Sequence, residues 1–267
     1  GSSGAIWADD LQSTKILRCK KRSICYAEFP QINNKECVVK NLRRLFSLAF
    51  VSVLMTTAKA EPVMNLITVN TNDGAGYAAW AKASASALVK ANNAMAMGLC
   101  TPTSGAEMMG DLYLWSFFDS QETVYNNEPM NPAVQAEVAK MKVDRTVREW
   151  DIWRIVRAAE VSERGYYYNL RVKTDNMSGY LQGLDAMYAE MQKREMGVTM
   201  QVFVGDTGVN TGIVMVSLGS SDGAALGRAL DARTESWFAD TLSKFEGQRE
   251  LEHGFSLICE TYAAAEQ

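Results

Sequence analysis

The heptapeptide TNDGAGY at residues 71–77 returns as TDNMSGY at residues 174–180, which is 103 positions later. The same offset relates apolar positions just upstream, such as Ile67 and Leu170. Repetition at a fixed offset is typical of a duplicated structural unit. We therefore expect two tandem copies of one fold.

Each copy shows the same order of predicted elements: strand, helix, strand, strand, helix, strand. In copy one, Asn72-Asp73-Gly74 supplies turn and N-cap chemistry between an alternating strand pattern and a helix rich in Ala and Lys. The predicted strands are 63–70, 95–100, 112–118 and 150–157, then 166–173, 199–204, 213–218 and 253–260. The predicted helices are 76–92, 132–146, 179–195 and 222–245.

The alignment of the two copies changes beyond the second strand. We align Ser116 with Ser217 and Glu149 with Glu250, which lowers the offset to 101 and implies a two-residue deletion in a loop. On this alignment Trp115 of copy one stands opposite a valine of copy two.

The element order predicts an α+β fold made of two ferredoxin-like repeats, at residues 61–158 and 165–262. A βαββαβ unit forms a four-stranded antiparallel sheet with both helices on one face, because its crossovers are right-handed. The other face of the sheet is bare and needs a cover. We expect the two copies to pack sheet to sheet and to close into a barrel, as an intramolecular pseudo-dimer connected by residues 158–164.

Two short patterns carry a resemblance to a known superfamily. They are the strand-Gly-Tyr-helix start of each copy and the segment from Leu114-Trp115-Ser116 to Ser120. Over residues 62–262 the chain resembles the dimeric α/β-barrel superfamily, which includes antibiotic-biosynthesis-monooxygenase-like and stress-responsive domains, with the dimer fused into one chain. An unrelated tandem of ferredoxin-like domains is the alternative.

Copy one carries polar and indole groups where copy two does not. The alignment sets Asn65 opposite Tyr168, Trp80 opposite Gly183 and Trp115 opposite Val216. We therefore expect a ligand cavity between sheet and helices in copy one. Its expected lining residues are Asn65, Tyr77, Trp80 and Trp115. Uneven core packing is the alternative explanation of the same difference.

The resemblance also bears on chemistry. Haem-degrading members of the superfamily use an Asn on the first strand, a Trp on the third and a His on the second helix. Asn65 and Trp115 occupy similar places, but residues 126–132 contain no histidine. We expect no cofactor and predict a binder of a small apolar or aromatic ligand, or a structural protein. A cofactor-independent monooxygenase-like enzyme is the alternative, so the question of enzymatic activity stays open.

The N-terminal region has the pattern of a secretory signal. Arg43-Arg44 precedes an apolar run at 45–55, and Ala58-Lys59-Ala60 has the small-x-small form of a cleavage site. The run is shorter than the roughly 20 residues that span a bilayer, so no membrane anchor is expected after cleavage. We interpret residues 39–60 as a signal peptide of a bacterial periplasmic or secreted protein, and residues 1–38 as a non-native or disordered extension.

Charge and motifs exclude several partners. The formal net charge of −4 and the absence of a basic run in the mature part argue against a nucleic-acid partner. The sequence contains no HExxH or CxxC motif and no phosphate-binding glycine loop. His253 is the single histidine, which rules out a metal site with two histidines from one chain, and we expect no metal.

Two cysteines lie in the mature part. Cys100 ends the second strand of copy one, and Cys259 lies in the fourth strand of copy two. Barrel closure places these two edge strands side by side. Either a disulfide across that seam, in an oxidising compartment, or two separate buried thiols would fit.

Overall fold

The computed structural model of the protein describes residues 60–128 and 130–265, which include both sequence copies. The predicted extension 1–38 and the predicted signal peptide, apart from its last residue, lie outside the described residues. No helix in this part of the chain is both long and apolar enough to cross a membrane.

The described part of the chain contains eight strands and six α-helices. Copy one contains β1 (Val63–Asn70), α1 (Gly74–Asn92), β2 (Ala96–Ser104), β3 (Asp111–Phe118), α2 (Gln121–Tyr125), α3 (Pro132–Val138) and β4 (Thr146–Arg157). Copy two contains β5 (Arg164–Lys173), α4 (Met177–Lys193), β6 (Thr199–Gly205), β7 (Val214–Ser220), α5 (Gly223–Asp231), α6 (Ser236–Leu242) and β8 (Glu250–Ala264). Short 3-10 turns follow β6, α5 and α6.

The repeated heptapeptide starts the first helix of each copy. The Asp73 side chain caps α1 by accepting from the Gly76 backbone N–H at 2.8 Å. A Cβ on that glycine would lie 2.3 Å from the cap carboxylate, so any other residue would force the cap side chain to move. The next residue, Tyr77, is buried in the core. The motif therefore repeats because one short segment supplies a helix cap, a glycine that lets the cap side chain lie close to the backbone, and a core aromatic.

The eight strands close into one antiparallel barrel in the order β1-β3-β2-β8-β5-β7-β6-β4. Each copy contributes four neighbouring strands, with its first and third strands in the middle. The copies meet at two seams, β2 with β8 and β4 with β6. This closure confirms the predicted α+β fold, in which two βαββαβ halves cover each other's bare sheet faces.

The buried residues form three clusters. One cluster lies between sheet and helices in each half, around Tyr77 in copy one and Tyr180 in copy two. The third fills the barrel interior, where Trp153, Phe203 and Phe255 from both halves meet. Apolar side chains on alternate strand positions thus fill the inner and outer faces of the same sheet.

The second helical region of each copy differs from its predicted form. The predicted helix 132–146 ends at Val138, and β4 begins at Thr146 instead of residue 150. The reason is that β1 offers ladder partners along its whole length, so Thr146 pairs with Asn70. In copy two the predicted helix 222–245 is broken into α5, α6 and short turns.

The strand ladders also correct the predicted alignment of the copies. Trp115 pairs with Leu66, and Ser217 pairs with Asn169, the counterpart of Leu66, so β3 and β7 are related by 102 positions. By the same test Thr146 corresponds to Glu250, which gives 104 positions for β4 and β8. The predicted offset of 101 was therefore wrong, and Val216 is not the counterpart of Trp115.

Candidate functional site

A cavity of about 490 Å³ opens between the sheet and the helices of copy one. Its deep wall is apolar, and its exposed residues, among them Trp150 and Met130, mark the mouth. The lining side chains come from β1, β2, β3, β4, α1, the second helical region and the turn before β4. They include Asn65, Ile67, Tyr77, Trp80, Leu88, Met97, Leu114, Ser116, Val124, Val134, Arg145 and Trp150.

The second helical region of copy one makes room for this cavity. Helix α2 has five residues and α3 has seven, with a non-helical stretch between them. Three of the four side chains with which these helices line the cavity are valines, namely Val124, Val134 and Val138, and the fourth is Gln135. Short branched side chains fill less of the space above the sheet than aromatic ones would, so a void remains.

Asn65 lies on β1 and faces this cavity. Its side-chain oxygen accepts a hydrogen bond from the Trp150 indole N–H at 2.7 Å. Trp150 lies on the neighbouring strand β4 and is 56% exposed, so the pair stands at the entrance. The bond fixes the amide orientation and directs the Asn65 N–H donors away from the indole.

Tyr77 and Trp80 form the helix side of the cavity. Their ring centroids are 5.3 Å apart, and the Trp80 indole N–H donates to the Glu137 carbonyl at 2.9 Å. Burial raises the pKa of Tyr77 to about 12, although the nearby Arg145 charge opposes the shift. The Tyr77 hydroxyl therefore stays protonated at neutral pH and can act as a donor.

Trp115, the fourth predicted lining residue, does not reach this cavity. Its side chain faces the barrel interior, where it is 4% exposed and lines a small void of about 60 Å³. Its strand neighbours Leu114 and Ser116 face the helices instead. Because side chains alternate along a strand, the one-residue alignment error had placed Trp115 on the wrong face.

Sequence reasoning missed Trp150 and Arg145 as lining residues. Arg145 falls in the predicted helix 132–146, and Trp150 is the first residue of the predicted strand 150–157. Extending β4 to Thr146 would have placed Trp150 opposite Ile67, two positions from Asn65. The strand register was the signal that could have found it.

Copy two has a smaller cavity at the equivalent place, of about 240 Å³. Phe245 fills the space over Gly183, because a Cβ on that glycine would lie 2.2 Å from the phenyl ring. Phe238 and Leu242 line the same cavity from α6. Tyr168 stands where copy one has Asn65, so this cavity has no amide at that point.

Cys100 and Cys259 form a disulfide in the structure. They are ladder partners on β2 and β8, the strands that join the two halves at one seam. The bond also lines the small void in the barrel interior. It links positions 159 residues apart and therefore closes most of the described part of the chain into a loop.

A charged group occupies one end of the barrel. Arg171 is nearly buried, and it lies 2.8 Å from Glu107 and 4.0 Å from Glu149. Asp151 is buried and accepts from the Asn210 amide at 2.5 Å. Burial is the main cause that raises the pKa of both Glu149 and Asp151. None of these side chains lines either helix-side cavity.

The described lining does not fit a haem. A haem iron is held by a histidine nitrogen, a thiolate or a tyrosinate, and a methionine such as Met97 serves as axial ligand only beside a histidine. No histidine or cysteine lines the copy-one cavity, and the high pKa of Tyr77 disfavours a tyrosinate. His253 lies elsewhere, with its Nε2 2.7 Å from the Gly105 carbonyl. Across the described residues no cluster of three His, Cys, Asp or Glu side chains could hold a metal ion.

No protein-family model matches the chain, and no curated protein matches it. Solved structures with a similar fold include a protein named "putative monooxygenase" from Lactobacillus acidophilus NCFM (10% identity, 78% of this chain and 97% of that one, TM-score 0.49). A heme-binding protein from Thermus thermophilus is also similar, with 9% identity over 75% of this chain and 91% of that one, and a TM-score of 0.45. A chlorite dismutase variant from Candidatus Nitrospira defluvii has 8% identity over 77% of this chain and 93% of that one, and a TM-score of 0.48.

These likenesses concern the fold and assign no activity to the chain. The strand order itself is specific: two four-stranded βαββαβ sheets are joined edge to edge into one closed antiparallel barrel, with the helices outside. The chain thus has the dimeric α/β-barrel architecture, in which a single polypeptide supplies both halves.

Proposed function

We propose that the protein binds a small apolar or aromatic molecule in the copy-one cavity. The observation that carries this proposal is the cavity itself, whose volume of about 490 Å³ suits a small molecule. Most of the lining is aliphatic or aromatic, and a few polar groups converge on it. Such a surface gains free energy by burying an apolar ligand, while the polar groups fix its orientation.

The aromatic side chains support a planar ligand. Tyr77 and Trp80 stand on one side of the cavity and Trp150 stands at the mouth. Rings of this kind prefer offset or edge-to-face contacts with another aromatic ring. The Asn65 amide beside Trp150 offers a hydrogen bond at the same entrance.

We also propose that the protein acts outside the cytoplasm, after cleavage before Glu61. The support is the order of Arg43-Arg44, the apolar run 45–55 and Ala58-Lys59-Ala60 in the sequence. The Cys100–Cys259 disulfide agrees with an oxidising compartment. N-terminal sequencing of exported protein tests this, and a mature start other than Glu61 would contradict the proposed cleavage.

Filling the cavity tests the binding proposal. Val134→Trp adds an indole to the cavity wall, whereas Val209→Trp adds the same group at a position that is 78% exposed and lines no helix-side cavity. Titration with 2-naphthol, followed by calorimetry, should show binding to the parent protein and to Val209→Trp. We expect Val134→Trp to lose about tenfold or more in affinity, because the apolar burial is lost. Equal binding by all three proteins would refute the cavity as the site.

A second function, monooxygenase-like conversion of a small aromatic ligand, is favoured by one contact. The Asn65–Trp150 hydrogen bond brings together an amide and an indole at the cavity mouth, although this indole comes from the fourth strand and the resemblance implies Trp115 of the third. Mass spectrometry of 2-naphthol recovered after aerobic incubation separates the two functions. A binder returns the molecule unchanged, and an enzyme returns a product whose formation falls in Asn65→Ala.

A further inference from the structure

The two cavities share one pair of polar residues. Tyr77 and Tyr180 are counterparts in the repeated heptapeptide, and each lines the cavity of its own half. The strand ladders make Thr146 the counterpart of Glu250, so the preceding residues, Arg145 and Arg249, also correspond. Each arginine lines the same cavity as its tyrosine. This Tyr–Arg pair persists although most other polar lining residues differ between the halves.

The tyrosine hydroxyls of both pairs are donors in apolar surroundings. Tyr180 is fully buried, and its hydroxyl proton has no acceptor among the described residues. Burial raises the pKa of Tyr180, and the hydrogen bond and charge of Arg249 act in the opposite direction. A buried hydroxyl proton without an acceptor carries a free-energy cost that a bound acceptor would remove.

The arginines of both pairs lack a carboxylate partner. Seven of the ten described arginines have an Asp or Glu oxygen within 4.0 Å, and these are Arg148, Arg154, Arg157, Arg164, Arg171, Arg194 and Arg228. The other three are Arg145, Arg233 and Arg249, and all three line a helix-side cavity. The described guanidinium groups without a carboxylate within 4.0 Å therefore all lie at the cavities, and Glu128 is the one carboxylate in the copy-one lining.

The surroundings of these three arginines leave donors for a ligand. Arg145 donates to the Met141 sulfur at 2.9 Å, which is a weak acceptor. Arg233 lies over the Tyr168 ring at 4.6 Å, and Arg249 lies over the Phe245 ring at 5.5 Å. Stacking on a ring leaves the edge of a guanidinium plane available, and that edge matches the two oxygens of a carboxylate.

We propose that the ligand is a small carboxylic acid, bound with its carboxylate at the Tyr–Arg pair and its apolar or aromatic body in the cavity. This inference rests on the proposed small-molecule binding and adds the charge of the ligand. The copy-one cavity takes the larger acid. The copy-two cavity, at about 240 Å³, takes a smaller one between Arg233 and Arg249.

A matched pair of probes tests the charge directly. The protein is titrated with 2-naphthoate and with 2-naphthamide, which share shape and apolar area but differ in charge. We expect naphthoate to bind about tenfold more tightly, because charge-assisted hydrogen bonds are stronger than neutral ones. The Arg145→Met/Arg249→Met variant should lose this preference, and Arg145→Lys/Arg249→Lys should retain most of it.

Arg228→Met is the matched control, because Arg228 is exposed on α5 and lines neither cavity. It should bind both probes as the parent protein does. Equal affinity of the parent for the two probes would overturn the carboxylate inference while leaving small-molecule binding in place. Binding of neither probe would overturn both, and a preference that survives Arg145→Met/Arg249→Met would remove the Tyr–Arg pair as its cause.

Discussion

The two halves of the barrel share their topology but differ in how they cover the outer face of the sheet. In both, a buried tyrosine from the heptapeptide packs against a second aromatic ring. In copy one that ring is Trp80, from the same helix, at 5.3 Å. In copy two it is Phe245, from the second helical region, at 5.6 Å. The copy-one cavity, where the first helix supplies the second ring, is about twice as large as the copy-two cavity.

This difference shows that the sheet and the first helix set the position of the cavity, whereas the second helical region sets its size. Valines of α2 and α3 leave space in copy one, and Phe238, Leu242 and Phe245 occupy it in copy two. The strand ladders of the two halves remain alike. A cavity between sheet and helices can therefore change its volume without any change in the barrel.

Breaking the covalent link between the halves should have the largest effect. Cys100→Ser/Cys259→Ser removes a cross-link that spans 159 residues at the β2–β8 seam. Restricting so long a loop in the unfolded chain stabilises the fold by about 5 kcal/mol in the chain-entropy treatment. Urea unfolding of the oxidised parent and the variant should show this loss in the free energy of unfolding.

The second seam provides the comparison. At β4–β6 the halves are joined without a disulfide, and Arg154 donates to Asp206 at 2.7 Å across this seam. Arg154→Met should cost less than about 1 kcal/mol, because the arginine is partly exposed to solvent. Unfolding midpoints that fall equally in the two variants would contradict the special role of the disulfide.

Adding a methyl group in copy two should have an intermediate effect. Gly183→Ala places a Cβ against the Phe245 ring, at 2.2 Å in the present arrangement, so the ring must move. Overpacking of this kind costs about 1–3 kcal/mol. Thermal and urea unfolding measure the loss in the free energy of unfolding. A loss of this size would support Phe245 as the residue that fills this cavity.

Gly227→Ala is the matched control for that variant. Gly227 lies in helix α5, and no heavy atom stands within 4 Å of the position that its Cβ would take. Alanine should stabilise this helix by about 0.5–1 kcal/mol, since glycine is the poorer helix former. If both substitutions stabilised the protein, Phe245 would not be packed over Gly183.

The smallest expected effect concerns the interior, where the halves also differ. Copy one places Glu149 and Asp151 inside the barrel, and the corresponding residues of copy two are His253 and Phe255. Desolvation raises the folded-state pKa of Asp151, with Arg171 and the Asn210 amide opposing it. The folded state thus holds this proton more tightly, and stability falls as pH rises through the folded pKa.

Asp151→Asn removes that titration while keeping the shape and the acceptor for Asn210. Between about pH 4 and pH 7, the slope of the free energy of unfolding against pH should therefore be more positive in Asp151→Asn than in the parent. Urea midpoints across this range measure the slope. Asp240→Asn, at an exposed position of α6, is the control and should follow the parent. An unchanged slope in Asp151→Asn would show that its pKa is not raised.

The sequence predicts the barrel because its signals are local and are present twice. The cap and glycine of the heptapeptide mark the start of each first helix, and strand alternation marks β1 and β5. Because the chain holds two copies, each sheet can cover the bare face of the other. Three of the expected lining residues, Asn65, Tyr77 and Trp80, lie on β1 and the first helix, whose positions these local signals predict, and they face the copy-one cavity.

What the sequence does not predict depends on exact register and on helix ends. Trp115 changes faces with a shift of one residue, and the glycine-containing loop before β3 gives no local signal of that shift. The helical pattern continues past Val138 in the sequence, yet the chain turns back to pair Thr146 with β1. Such long-range pairing outweighs local helix propensity. Local sequence patterns therefore do not predict that Arg145 and Trp150 line the cavity.

The connection of both halves in one polypeptide has a genetic consequence. An assembly of two identical subunits must carry every substitution twice, so a change that benefits one cavity also alters the other. Here Phe245 and Trp80 could arise in separate halves, because each codon acts on one side of the barrel alone. Two halves on one polypeptide therefore allow each cavity to change independently of the other.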